Sequence, residues 1–154
     1  MWTVASCFVA AVVSALLPWV NAELMLLAVA APLTSVGDLL PIVLAVTAGQ
    51  VSGKSALYWI ARRTFASAPH GRFARAVDRW RNACQSRQRS TEAMMTLSAI
   101  FGLPPFYVTT VAAGALRVSF VRFLVVAIFG RLVHFGLVAL APALVRSVRL
   151  LDAP

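Results

Sequence analysis

Two apolar blocks, Trp2 to Ala61 and Ala93 to Val145, dominate this chain, and each is broken in its middle. Crossing a hydrocarbon core of roughly 30 Å takes about 20 apolar residues in helix. Block one breaks at Pro18 and again from Pro32 to Asp38, so Trp2 to Leu17 is marginal in length and Leu24 to Ala31 cannot span. Block two repeats the pattern: Ala93 to Phe101 stops at Gly102-Leu103-Pro104-Pro105, a short run Phe106 to Leu116 follows, and then a long one from Val118 to Val145. Broken backbone at membrane depth is tolerated only where protein or a water-filled cavity covers it. The spacing therefore predicts an all-α integral membrane protein with two re-entrant helical hairpins plus transmembrane helices, arranged around a polar cavity. Pro18 precedes Arg62 by 44 residues and Pro104 precedes Arg146 by 42, which suggests an inverted repeat with its site near the midplane.

Composition agrees with this reading. The 154 residues are 60% hydrophobic and 12% charged, whereas soluble domains run near 45–50% and about 25%. Length points to one domain, 1–154. The resemblance of Trp2 to Leu17 with Val20-Asn21-Ala22 to a secretory leader is weakened because no Lys or Arg precedes the apolar run and Leu24 to Ala31 is again membrane-grade.

Between the halves, 1–61 and 93–154, the linker 62–92 carries arginines at 62, 63, 72, 75, 79, 81, 87 and 89. Positive charge in a short loop predicts the cytoplasmic side. Phe73, Ala76, Val77, Trp80 and Cys84 recur at helical spacing beside Arg72, Arg75 and Arg79, as in an interfacial helix on an anionic leaflet, although a solvated connector fits equally. The net charge of +9 has this topological cause, so nucleic acid is not expected as a partner. Cys7 and Cys84 are expected to be free, and with His70 and His134 isolated no metal site or cofactor is expected.

Few residues could carry chemistry. Glu23 is an acidic residue in apolar sequence five positions after Pro18, and at membrane depth it must be paired, hydrated or protonated, or else cap a half-helix. Arg131 lies in mid-helix with His134 at i+3, so the two share a face and form the cationic half of a candidate site for phosphate. A structural ion pair between Glu23 and Arg131 is the rival reading. Arg117 and Arg122 flank a turn around Ser119 and read as interface anchors. Gly49 and Gly53 form a GxxxG that allows two helices to approach closely.

The spacing Gly49-xxx-Gly53-xxxx-Tyr58-xx-Ala61-Arg62, after a Pro18, Asn21, Glu23 break, resembles the DedA family, also called the VTT or SNARE-associated membrane domain. FGLPPFYVTTVAAGALRVSF is similar to its second re-entrant loop, with Pro104, Pro105 and Tyr107, followed by the turn Ala113, Gly114, Arg117. Gly130-Arg131-xx-His134-Phe135 is similar to the basic pair of the YqaA-like branch. The resemblance implies two hairpins facing each other and a role in lipid movement: bacterial members are linked to undecaprenyl-phosphate recycling and eukaryotic relatives to phospholipid scrambling. Two departures stand out. Lys54 replaces an Asp that many members carry, and Phe101 and Tyr107 stand where arginines are usual. A proton-coupled set is thereby incomplete, while passive scrambling needs only a polar path.

The expected function is thus a lipid transporter or scramblase of a bacterial inner membrane, with anionic or polyprenyl-phosphate headgroups as partners and Pro18, Asn21, Glu23, Pro104, Pro105, Tyr107, Arg131 and His134 at the site. The alternative is a non-transporting scaffold that binds anionic lipid or protein through the linker. No nucleophile and base pair is visible, so an enzyme is not expected. A homo-oligomer is compatible with either reading.

Overall fold

A computed structural model describes residues 2–17, 19–33, 35–66 and 88–151, together with Arg75, Arg79, Asn82 and Ser86 of the linker. Pro18, His70, Cys84 and most of the expected interfacial helix lie outside the described residues. Six helices are described in full: α1 Trp2–Leu16, α2 Ala22–Ala30, α3 Val36–Ala66, α4 Gln88–Phe101, α5 Phe106–Ala115 and α6 Phe120–Leu151. No strand occurs among the described residues.

Helix lengths divide the elements into two kinds. At 1.5 Å per residue, α3 and α6 are each about 45 Å or longer, whereas α2 and α5 reach only about 15 Å, half a bilayer core. Gly37–Phe65 and Phe120–Val145 are long and apolar enough to cross a membrane. Large apolar side chains face outward from every helix, among them Trp2, Leu24, Leu40, Leu97, Val108, Phe129 and Leu137. An apolar surface of this extent suits lipid rather than water.

The pairing of helices is crossed. The first helix of each half packs on the long helix of its own half, α1 on α3 and α4 on α6, while the short second helix packs on the other half's long helix, α2 on α6 and α5 on α3. Two buried clusters result, and the long helices contribute to both. Cys7, Ala11, Leu26, Val46 and Phe135 belong to one; Tyr58, Ala99, Phe106, Phe123 and Ala127 belong to the other.

Glycines set the close approaches. A Cβ on Gly49 would lie 2.4 Å from the Phe8 carbonyl oxygen and one on Gly53 would lie 2.5 Å from Ala15 Cβ, so the GxxxG seats α1 against α3. Gly114 seats α5 on α3 at Tyr58, and Gly130 seats α6 on Ala99 of α4. Backbone contact of this kind replaces the hydrophobic drive that lipid does not supply.

Tyr58 joins these layers. Its ring is fully buried and stacked on Phe123 at 5.1 Å, its hydroxyl donates to the Val118 carbonyl, and Arg62 Nη1 donates to Tyr58 Oη at 2.6 Å. The end of α3 is thereby tied to the α5–α6 turn, where Arg117 takes φ 55 and Arg122, in the first turn of α6, pairs with Glu92 at 3.4 Å. Removing the hydroxyl leaves a carbonyl without its donor and a guanidinium without its acceptor, which costs about 1–3 kcal/mol. Tyr58→Phe is accordingly expected to lower the melting temperature of the detergent-solubilised protein, and an unchanged melt would show that the hydroxyl is idle.

Candidate functional site

The two sequence breaks meet at one cavity. Asn21 caps α2, its Oδ1 accepting from the backbone N–H of Glu23 at 2.8 Å and of Leu24 at 3.3 Å, which places Glu23 in a first turn where the helix dipole favours a carboxylate. In the other half α4 ends at Phe101, Gly102 takes φ 74, and the cis Leu103–Pro104 bond leads into α5. Ser98 holds this turn through Pro104, whose carbonyl accepts from the Ser98 hydroxyl. Between the two tips lies an open cavity of about 230 Å³, lined by both tips, Ser14 of α1, Gln50 and Lys54 of α3, and Arg131 and Phe135 of α6.

Two buried cations define its chemistry. Lys54 is 4% exposed and Arg131 is 8% exposed. Lys54 Nζ donates to the Ala15 carbonyl at 2.8 Å, in the last turn of α1 where carbonyls lack helical partners, and it lies 5.0 Å from the centre of the Tyr107 ring. The Arg131 guanidinium lies over Phe106 at 4.8 Å and Phe135 at 5.4 Å. Its Nε is buried without a hydrogen-bond partner. Neither cation reaches a carboxylate at ion-pair distance among the described residues. Buried ions cost several kcal/mol each unless compensated. A cavity wall with two such groups favours an anion.

Polar company completes the wall. Gln50 Nε2 donates to Ser14 Oγ, which itself donates to the Ala11 carbonyl at 3.0 Å, while Gln50 Oε1 has no partner. Gln50 and Lys54 follow Gly49 and Gly53 by one position each, so the glycines that bring α1 close also turn these two side chains beside it.

Asn21, Glu23, Pro105, Tyr107 and Arg131 of the sequence-derived set line the cavity together. Pro104 holds the turn without lining the cavity, and Pro18 lies outside the described residues. His134 does not join Arg131 as a second free cation. Its Nε2 meets Glu23 Oε1 at 2.8 Å and its Nδ1 meets the Ile100 carbonyl at 2.6 Å. The hydrogen-bond partner of Glu23 is consequently His134, and Arg131, which the ion-pair alternative had paired with it, feels the Glu23 charge without reaching ion-pair distance. Sequence reasoning missed Ser14, Gln50 and Lys54. The signal was present for Lys54, which is an ionisable residue inside a span-length helix and therefore a functional candidate on cost alone.

A family model of the VTT domain matches residues 20–143, a stretch that contains every cavity-lining residue except Ser14. No curated protein and no solved structure matches the chain. The family is membrane-associated and is not a known enzyme family, and its DedA members are proposed to act as lipid transporters. The broken helices, the crossed packing and this match over most of the length lead to one assignment: the chain belongs to the VTT-domain family, the domain of the DedA proteins.

Proposed function

We propose that the protein moves lipids between leaflets, passing a phospholipid or polyprenyl-phosphate headgroup through the cavity while the acyl or prenyl chains stay in the bilayer. The observation that carries this is the pair of buried cations, Lys54 and Arg131, on the wall of an open polar cavity between helices too short to span. In this reading α1–α2 and α4–α5 are re-entrant hairpins related as an inverted repeat, a relation supported by the crossed packing of α2 on α6 and α5 on α3. Gly130-Arg131-xx-His134-Phe135 supports the YqaA-like branch, and the basic linker supports a bacterial inner membrane with the linker inside. Transport here is passive, since Lys54 stands where a proton-carrying Asp would otherwise sit. Lys54 takes over from His134 as the partner of Arg131 in attracting phosphate.

Reconstitution tests the reading. Liposomes that contain the protein and a headgroup-labelled anionic lipid are exposed to a membrane-impermeant quencher. Quenching of label from both leaflets, against only the outer leaflet in empty liposomes, is the expected result. Quenching confined to the outer leaflet overturns translocation and moves the protein to the scaffold alternative, for which the linker arginines supply the binding surface.

A further inference from the structure

The contacts of His134 fix a proton count. A backbone carbonyl oxygen only accepts hydrogen bonds, so the 2.6 Å contact to Ile100 requires a hydrogen on Nδ1. A neutral imidazole then presents a bare lone pair at Nε2, and an ionised carboxylate has no hydrogen to offer it. Two acceptors do not rest 2.8 Å apart. One further proton must therefore lie between Nε2 and Glu23 Oε1, whichever of the two atoms holds it.

The position of that proton gives it leverage. Ile100 sits one residue before the end of α4, whose chain continues into the turn with Gly102 and Pro105, while Glu23 is in the first turn of α2; Gly102, Pro105 and Glu23 all line the cavity. A single imidazole on α6 thus holds both tips. The Glu23 side chain is 45% exposed against 13% for His134, so the cavity side offers the route by which the proton exchanges.

We propose that Glu23 and His134 form a proton-held clasp that ties both tips to α6 and opens when its shared proton leaves. Without that proton the imidazole can keep Nδ1–H on Ile100 and face the carboxylate with a lone pair, or change tautomer, satisfy Glu23 and face the Ile100 carbonyl with a lone pair. One link is lost either way. A second proton breaks neither link, because an imidazolium donates at both nitrogens and a protonated carboxyl still accepts through its carbonyl oxygen. The clasp therefore opens as pH rises and stays shut as pH falls. The other titratable groups around it are Arg131 one turn earlier on α6, Lys54 of α3, Tyr107 of α5 and Cys7 of α1. The clasp rests on the translocation reading only for what it admits, and its proton can be read without any lipid.

The chain has two histidines, so His70→Gln with 15N-histidine labelling leaves His134 as the one signal. The full chain in detergent is followed by NMR from about pH 5 to about pH 9, the range over which imidazoles change charge. The expected result is a protonated Nδ1 at neutral pH with Nε2 protonated or sharing a proton, and in Glu23→Gln, whose amide donates to Nε2, a bare Nε2 at the same pH. A bare Nδ1 at neutral pH, or the same Nε2 protonation at neutral pH in both proteins, overturns the clasp. A second measurement places a single cysteine at Val20, on the cavity wall, with Cys7 and Cys84 replaced by serine and Tyr107, Lys54 and Arg131 retained. Modification by a water-soluble thiol reagent, divided by the rate in the Glu23→Gln background, should rise about tenfold as His134 loses its proton, the factor expected for loss of one charge-assisted hydrogen bond. A flat ratio refutes gating even where lipid flux is normal, and a rising ratio supports it even where flux is absent.

Discussion

Arg131→Met is expected to slow translocation of anionic lipid by roughly ten- to hundredfold, the equivalent of one charge-assisted hydrogen bond of about 1.5–3 kcal/mol, and to leave zwitterionic lipid less affected. Methionine keeps much of the volume between Phe106 and Phe135 and removes the charge. The fold should tolerate the change, because among the described residues Arg131 makes no ion pair at contact distance: Glu23 is hydrogen-bonded to His134 and reaches Arg131 only through its charge, and Arg131 Nε has no partner to lose. Lys54→Met should act in the same direction, with the added loss of the bond to the Ala15 carbonyl. Flux in liposomes and melting in detergent are measured on the same preparations. Normal flux in both variants would remove the cations from the path, and loss of stability in Arg131→Met would make that residue structural.

Gly114→Val should destabilise the protein at or beyond the upper end of the roughly 1–3 kcal/mol typical of overpacking. A Cβ there would lie 2.4 Å from the Tyr58 carbonyl oxygen, 3.0 Å from Ala61 Cβ and 3.2 Å from the Arg62 nitrogen, and backbone atoms of a packed helix cannot step aside. Gly136 is the internal control. Nothing lies within 4 Å of its would-be Cβ, so Gly136→Ala should be neutral or stabilising by up to about 1 kcal/mol through helix propensity. Equal melting of the two variants would show that α5 does not bear on α3 as described.

Much of the architecture could be read from the chain because it depends on local punctuation. Proline and glycine clusters end α4 and start α5 within a few residues of where the sequence places the break, and the Asn21 cap needs only its next two neighbours. The GxxxG of Gly49 and Gly53 was legible as a close approach, although not that α1 is what approaches. The site was read less well, since its contacts are long-range. Glu23 finds His134 across 111 residues, and nothing in the spacing of either residue names the other. Arg131 and His134 do share a helix face, but one points into the cavity and the other bridges two tips, a difference set by the packing of α2 and α4 on α6. Lys54 reads in the sequence as a departure from a family pattern, although its cost at membrane depth already marks it as a functional candidate.

The crossed packing bears on how the chain is made. Because α2 rests mainly on α6, the first half emerges from the ribosome with a short apolar helix whose main partner has not been synthesised. At roughly 5–20 residues per second, the interval between Glu23 and His134 amounts to about 5 to 20 seconds. During that time α2 is too short to span and can pack only on α1 and α3, so it must wait for α6 at the bilayer interface or in the care of an insertion factor. The last helix to arrive completes both clusters at once, and the nascent protein remains open to misfolding and proteolysis until α6 is inserted.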